Sequence, residues 1–196
     1  MAQMSNSTIC YIEKEDAYLM LLRNKKQKDV NKGKWIGVGG HCENGESPED
    51  CIRREVEEET GLILDQLTFR GIITFVYGED ITEYIYLFTS HSFHGEQIPC
   101  NEGELHWIRK DQIFNLNLWD GDRIFLHLLE KNGNFFSLKI VYDQEDHIQQ
   151  AVLNGVNMPL QALVDGNGNP TGARQTEYVI QLEELPFCCL GLTLQE

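Results

Sequence analysis

The chain has 196 residues and a net charge of −15, a length that allows one domain of about 150 residues and leaves a surplus to explain. The acidic balance argues against a nucleic-acid polymer as partner, because such binding relies on Lys and Arg to neutralise phosphates, whereas a small anion escorted by a metal ion remains compatible. No apolar run reaches the roughly 20 residues of a membrane span, and the opening MAQMSNST lacks the build of a signal peptide, so a cytoplasmic protein without membrane contact is expected.

Residues 8–12 and 17–22 are apolar and rich in β-formers, and Glu13-Lys14-Glu15-Asp16 between them reads as a turn, so the chain opens with a hairpin. Positive charge then gathers in Arg23-Asn24-Lys25-Lys26-Gln27-Lys28 and Lys32-Gly33-Lys34. This stretch is either a solvated loop or a lid that holds phosphates, with Arg23 at the strand end the best candidate ligand. Trp35-Ile36-Gly37-Val38-Gly39-Gly40 follows, its glycines letting backbone approach a ligand closely.

Ser47-Pro48-Glu49-Asp50 opens a helix: Ser47 caps it, Pro48 sits where no amide hydrogen is needed, and the acids face the positive end of the dipole. Gly61 closes it, since the residue after a helix usually adopts a left-handed conformation. Inside those limits Glu55, Glu58 and Glu59 stand at i, i+3 and i+4 and share one face. Ile52 and Val56 form the adjoining stripe, which predicts a helix anchored on a sheet with its acidic face turned out of the core. Glu49, Arg53 and Glu57 read as solvated. Three carboxylates on one face repel each other, and a hard divalent cation with oxygen ligands would relieve most of that repulsion.

Residues 67–77 and 82–92 predict a second hairpin turning at Gly78-Glu79-Asp80, with Tyr84 and Tyr86 on one side as packing residues. Glu102 and Glu104 precede Trp107. Asp120 is the expected cap of a second helix over residues 120–131, whose buried stripe is Ile124, Phe125, Leu128 and Leu129. Strands are expected at residues 135–142 and 148–153. The six cysteines contain no CxxC pair and read as reduced thiols, and the histidines after residue 90 show no metal-ligand spacing. A domain over residues 1–158 would leave an appendage, 159–196, with an expected hairpin and an apolar end at residues 185–190 that should cover its own domain or a partner subunit.

Gly40, five residues, Glu46, seven residues, Arg54-Glu55-Val56, Glu58-Glu59 and Gly61-Leu62 fill every fixed position of the Nudix box. The chain thus resembles the Nudix hydrolases, and WIGVGGH before the box with LWDGDRIFL after it resembles the MutT branch, whose members hydrolyse oxidised purine nucleoside triphosphates. The resemblance covers about residues 5–158. It implies an α/β sandwich with a mixed sheet, the box helix on one face and the second helix on the other. It further implies Mg2+ or Mn2+ held by the Gly40 carbonyl and by Glu55, Glu58 and Glu59, with Arg54 orienting a catalytic glutamate and Glu46 bracing loop and helix. Glu102 is the expected further ligand or base, with Glu104 its rival, and the base itself stays open among Glu55, Glu59 and a residue outside the box.

On the substrate side the resemblance points to Trp119 and Asp122, the latter reading the nucleobase. Gly121 stands where some relatives carry a second acidic residue. The implied reaction is attack of water on a nucleoside triphosphate, releasing pyrophosphate and the monophosphate, in a monomer or homodimer. One alternative is a dinucleoside polyphosphate hydrolase, for which Tyr77 lies near the expected tyrosine. Another is a nucleotide-sensing module without turnover, although such modules usually lose box glutamates and none is lost here.

Overall fold

A mixed β-sheet lies between two helices, and the alternation of its strand residues decides which helix each face meets. The computed structural model describes residues 3–25, 29–131 and 134–158. In chain order they form β1 (Gln3–Lys14), β2 (Ala17–Arg23), β3 (Trp35–Ile36), α1 (Pro48–Thr60), β4 (Leu62–Leu64), β5 (Thr68–Tyr77), β6 (Ile81–Ser90) and β7 (Phe93–Gly95). Then come β8 (Gly103–Arg109), a 3-10 turn (Lys110–Asn115), α2 (Asp120–Glu130), β9 (Phe136–Tyr142), β10 (Ile148–Leu153) and β11 (Val156–Asn157). The main sheet runs β11-β10-β9-β5-β6-β1-β2-β3, with β8 also paired to β2, while β4 and β7 make a small ribbon. β1 pairs parallel with β6 and β5 with β9, whereas the β1–β2 and β5–β6 hairpins are antiparallel, as expected from their turns.

Side chains alternate across a strand, so β1 feeds both layers. Cys10 and Ile12 pack with Ile52 and Val56 of α1, and Tyr11 between them packs with Ile124 and Phe125 of α2. The two helices therefore cover opposite faces. α1 starts in a capping box: the Asp50 amide donates to the Ser47 hydroxyl at 3.1 Å and the Ser47 amide donates to the Asp50 carboxylate at 3.1 Å. It ends at Gly61, whose φ of 74° is left-handed and whose amide donates to the Glu57 carbonyl at 2.8 Å.

Two expectations change. Asp120 does not cap α2; Trp119 takes that position without a side-chain bond, and Asp120 is the first helical residue, an acid complementing the dipole. The reason is tertiary: the buried Trp119 ring and its indole N–H, which donates to Asn31 Oδ1 at 2.8 Å, fix where the chain turns into the helix. Nor does the whole acidic face of α1 point outward, because Glu59 is only 7 % exposed. The appendage over 159–196, with Cys188 and Cys189, and Lys26, Gln27 and Lys28 of the basic stretch lie outside the described residues.

Gly121 seats the start of α2 on β9. Its amide donates to the Tyr142 hydroxyl at 2.7 Å, and a Cβ there would lie 2.4 Å from Ile140 Cδ1 and 2.6 Å from that hydroxyl. Gly121→Ala should therefore destabilise the protein by about 1–3 kcal/mol through overpacking, read as a lower urea midpoint at unchanged slope. An unchanged midpoint would mean that the helix start can shift without cost.

Candidate active site

The box helix carries its acidic residues to a turn of backbone beside β1. The Thr8 amide donates to the Gly40 carbonyl at 2.8 Å, and isolated bridges join Cys10 to Val38 and Ser7 to His41. Glycine is required by space at Gly39, where a Cβ would lie 2.1 Å from the Thr8 carbonyl oxygen, whereas a Cβ on Gly40 would lie 2.5 Å from the Glu55 carboxyl and push that side chain away. Glu55 thus rests directly on the Gly40 backbone. Glu59 lies behind it, accepting from the Gly39 amide at 3.3 Å. Burial pushes the Glu59 carboxyl up to about 8, and the charges of Glu102 and Glu55 push in the same direction.

Arg54 organises the rest. Its guanidinium donates twice to Glu46, at 2.7 and 2.9 Å, and also to Glu55 at 2.7 Å, Glu58 at 3.3 Å and the His41 carbonyl at 3.2 Å. These bonds, with a further one from the Glu43 amide at 2.8 Å, hold the Glu46 carboxyl down at about 2. Glu58 is 61 % exposed on the outer side of this cluster.

Glu102 and Glu104 separate clearly. Glu102 bonds to Arg23, lines the same cavity as Glu55 and acts electrostatically on Glu59. Glu104 is exposed and accepts from Asn24 at 2.7 Å on the outer edge of β8. Arg23 also donates to Asp29 at 2.8 Å, so its charge is already matched by two carboxylates. Glu55 and Glu102 line one cavity with Glu59 buried behind Glu55, and carboxylate oxygens are the donor chemistry that Mg2+ or Mn2+ takes.

The cavity has a volume of about 490 Å³ and continues from Gly40, Glu55 and Glu102 over the α2 side of the sheet to Phe75, Trp119 and Asp122. Phe75 meets the Trp119 ring edge-on at 5.9 Å, and the Lys34 ammonium lies 4.6 Å from the Trp119 ring centre. Asp122 is half-buried at this end, and desolvation pushes its carboxyl up to about 8 despite the opposing charges of Lys34 and Arg123. Trp119 and Asp122 therefore share a cavity with Glu55 of the box although the chain separates them by some sixty residues. Tyr77 does not line it; its hydroxyl donates to Asp146 Oδ1 at 2.9 Å and to the Gln144 carbonyl at 3.1 Å.

Asn31, Phe75, Glu83 and Ile85 also line the cavity and escaped the sequence reading. None belongs to a motif. The available signal was register: Glu83 interrupts the inward-facing phase of β6 that carries Ile85 and Leu87. The histidines yield one surprise, since Asp143, Glu145 and His147 bring ligand atoms within 4.8 Å of one another. Asp143 there accepts from the Glu145 and His147 amides at 2.9 Å and from Gln149 Nε2 at 2.8 Å, so the turn's own bonding accounts for the gathering.

A family model described as the NUDIX domain matches residues 4–129, more than half of the chain. Among curated relatives, the uncharacterised Nudix hydrolase YvcI of Bacillus subtilis is 27 % identical over 74 % of this chain and 91 % of its own length. The oxidized purine nucleoside triphosphate hydrolase of Mus musculus is 32 % identical over 59 % of this chain and 74 % of its own. The fold is similar to the crystal structure of a MutT protein from Bacillus halodurans, with a TM-score of 0.69 and 23 % identity, covering 76 % of this chain and 97 % of that one. Box, sheet and domain match agree: the chain belongs to the Nudix hydrolase family and is an enzyme of its MutT-like type.

Proposed function

We propose that this enzyme hydrolyses a nucleoside triphosphate to the monophosphate and pyrophosphate with a divalent cation, and that its substrate is an oxidised purine nucleotide such as 8-oxo-dGTP. The observation that carries this reading is one continuous cavity lined by the carboxylates of Glu55 and Glu102 at one end and by Phe75, Trp119 and Asp122 at the other. A triphosphate and a base have opposite requirements, and this cavity offers both. The name of the mouse relative supports the substrate class.

In this reading Glu55, Glu58, Glu59 and Glu102 with the Gly40 carbonyl would hold Mg2+ or Mn2+. The bound ion would neutralise phosphate charge and ease deprotonation of the attacking water. Arg54, clamped by Glu46, orients Glu55. The proton leaves the water for a carboxylate among Glu55, Glu59 and Glu102 as the bond to pyrophosphate breaks. Arg23, tied to Glu102 and Asp29, faces the cavity where the phosphate chain passes. Trp119 and Phe75 form an aromatic wall for the base. Asp122, once ionised, accepts the two adjacent N–H groups of a guanine-type edge in a fork.

Glu59→Gln should lower kcat at least ~100-fold in a phosphate-release assay with Mg2+. Its folded carboxyl is raised from 4.5 to about 8, so its contribution to stability is complete at low pH and is lost as pH rises through that value. The same substitution should therefore raise the Tm of metal-free protein at pH 9 while leaving pH 4 nearly unchanged; a lower Tm at pH 9 would contradict the assignment of a strained, buried acid.

Asp122→Ala should cut kcat/KM for 8-oxo-dGTP by roughly 10- to 150-fold and change little for pyrimidine triphosphates. Equal losses across all bases would make Asp122 a structural residue. Wild-type protein that cleaves no diphosphate-linked nucleotide with Mg2+ or Mn2+ would overturn the proposal as a whole.

A further inference from the structure

Glu83 is a charged cavity residue to which the proposed reaction gives no part. It falls in the inward-facing phase of β6, where Ile85 and Leu87 pack with the α2-side core, so a charged side chain occupies an apolar row. In the β5–β6 register it stands opposite Phe75, whose ring meets Trp119 edge-on at 5.9 Å. Its side chain is 22 % exposed, and its ion-pair partner is His41, 3.5 Å away and 72 % exposed. That separation is at the outer limit of a hydrogen bond, on a side chain open to water. A largely desolvated carboxylate in a ligand cavity is costly until a donor meets it, and it disfavours any ligand that presents a lone pair there.

We propose that Glu83 is a specificity-determining residue that accepts a hydrogen bond from the N7–H of an oxidised purine and thereby separates it from the unoxidised base. This rests on the oxidised-purine reading above. An ordinary purine carries a lone pair at N7 and would meet Glu83 acceptor to acceptor. An 8-oxo-purine carries a hydrogen at that atom and meets it donor to acceptor. Asp122 at the start of α2 and Glu83 on β6 then divide the ring between them. Asp122 takes the edge with N1–H and the exocyclic amine, Glu83 takes the opposite edge, and Phe75 and Trp119 form an aromatic wall for the ring. Asp122 contacts a part of guanine that oxidation at C8 leaves in place, so oxidation state has to be read elsewhere in the cavity. Glu83 is a carboxylate in position to read it.

The test compares kcat/KM for 8-oxo-dGTP and dGTP in wild type, Glu83→Gln and Glu83→Met, with Mg2+ and with Tm checked for each variant. The preference for the oxidised nucleotide should fall about 10- to 100-fold in both variants. Met should lose mainly on 8-oxo-dGTP. Gln should also gain on dGTP, because its amide can rotate to donate to the unoxidised N7. Binding of 8-oxo-dGMP should weaken in parallel. A wild-type preference for 8-oxo-dGTP that both variants keep would overturn the role of Glu83 and leave the proposed function standing. So would equal losses on both nucleotides, or a change confined to ribo- against deoxyribonucleotides, which would place Glu83 on the sugar. A wild type with no preference for oxidised purines would overturn both readings before any variant is compared.

Discussion

Arg54 makes the acidic face of α1 tolerable. Glu55, Glu58 and Glu59 stand at helical spacing where like charges repel, and one guanidinium is shared among Glu46, Glu55 and Glu58 with the His41 carbonyl as a further acceptor. A planar donor with several N–H groups can hold these partners at once, which an ammonium could not do in the same geometry. The clamp fixes the Glu55 carboxyl against Gly40, and that contact exists only because Gly40 has no side chain. Glu59 is left out of the arrangement. It is buried, meets one amide hydrogen at 3.3 Å and feels two neighbouring carboxylates. The relief is incomplete at Glu59, and a hard cation would complete it.

The same short stretch of backbone serves both ends of the cavity. Residues 38–42 run beside β1, through the Cys10–Val38 and Ser7–His41 bridges and the bond from the Cys42 amide to the Asn6 carbonyl at 3.0 Å. Gly39 and Gly40 in this stretch face the box glutamates, and its next residue, His41, reaches across β1 to Glu83. β1 itself presents Cys10 and Ile12 to the α1 layer and Ile9 and Tyr11 to the α2 layer. A ligand that spans phosphate chemistry and base recognition therefore needs no hinge between two bodies. The alternation of one strand and the edge pairing beside it bring the two together.

Local charge follows a consistent logic. The basic stretch after β2 could have formed a positive lid over phosphates, but its described cations are largely committed. Arg23 is tied to Asp29 and Glu102, the Lys25 ammonium donates to the Cys100 carbonyl at 2.6 Å, and Lys34 lies over Trp119. The cavity thus keeps its carboxylates in excess, and an anionic phosphate chain would enter it together with a cation. Gly121 illustrates a different constraint. A Cβ at this position would meet Ile140 and the Tyr142 hydroxyl, which fill the space. Of the two acids in the first turn of α2, Asp122 is the one that lines the cavity.

The sequence by itself determined what is local. The box spacing set the helix, its Ser47 cap, its Gly61 stop and the shared face of three glutamates, since capping, left-handed backbone and helical periodicity depend on neighbours only a few residues away. The two hairpins and the buried stripe of α2 were legible for the same reason. Tertiary structure alone decided which carboxylates are buried and which cations are free. Nothing in the helix pattern distinguishes Glu59 from Glu58, yet packing beneath Gly39 raises the pKa of one and leaves the other 61 % exposed. Glu102 rather than Glu104 faces the cavity because β8 pairs with β2 and brings Glu102 to Arg23. Phe75, Glu83 and Ile85 became part of the site through strand register between segments that carry no motif. Burial and desolvation are set by residues distant in the chain, and no local pattern encodes them.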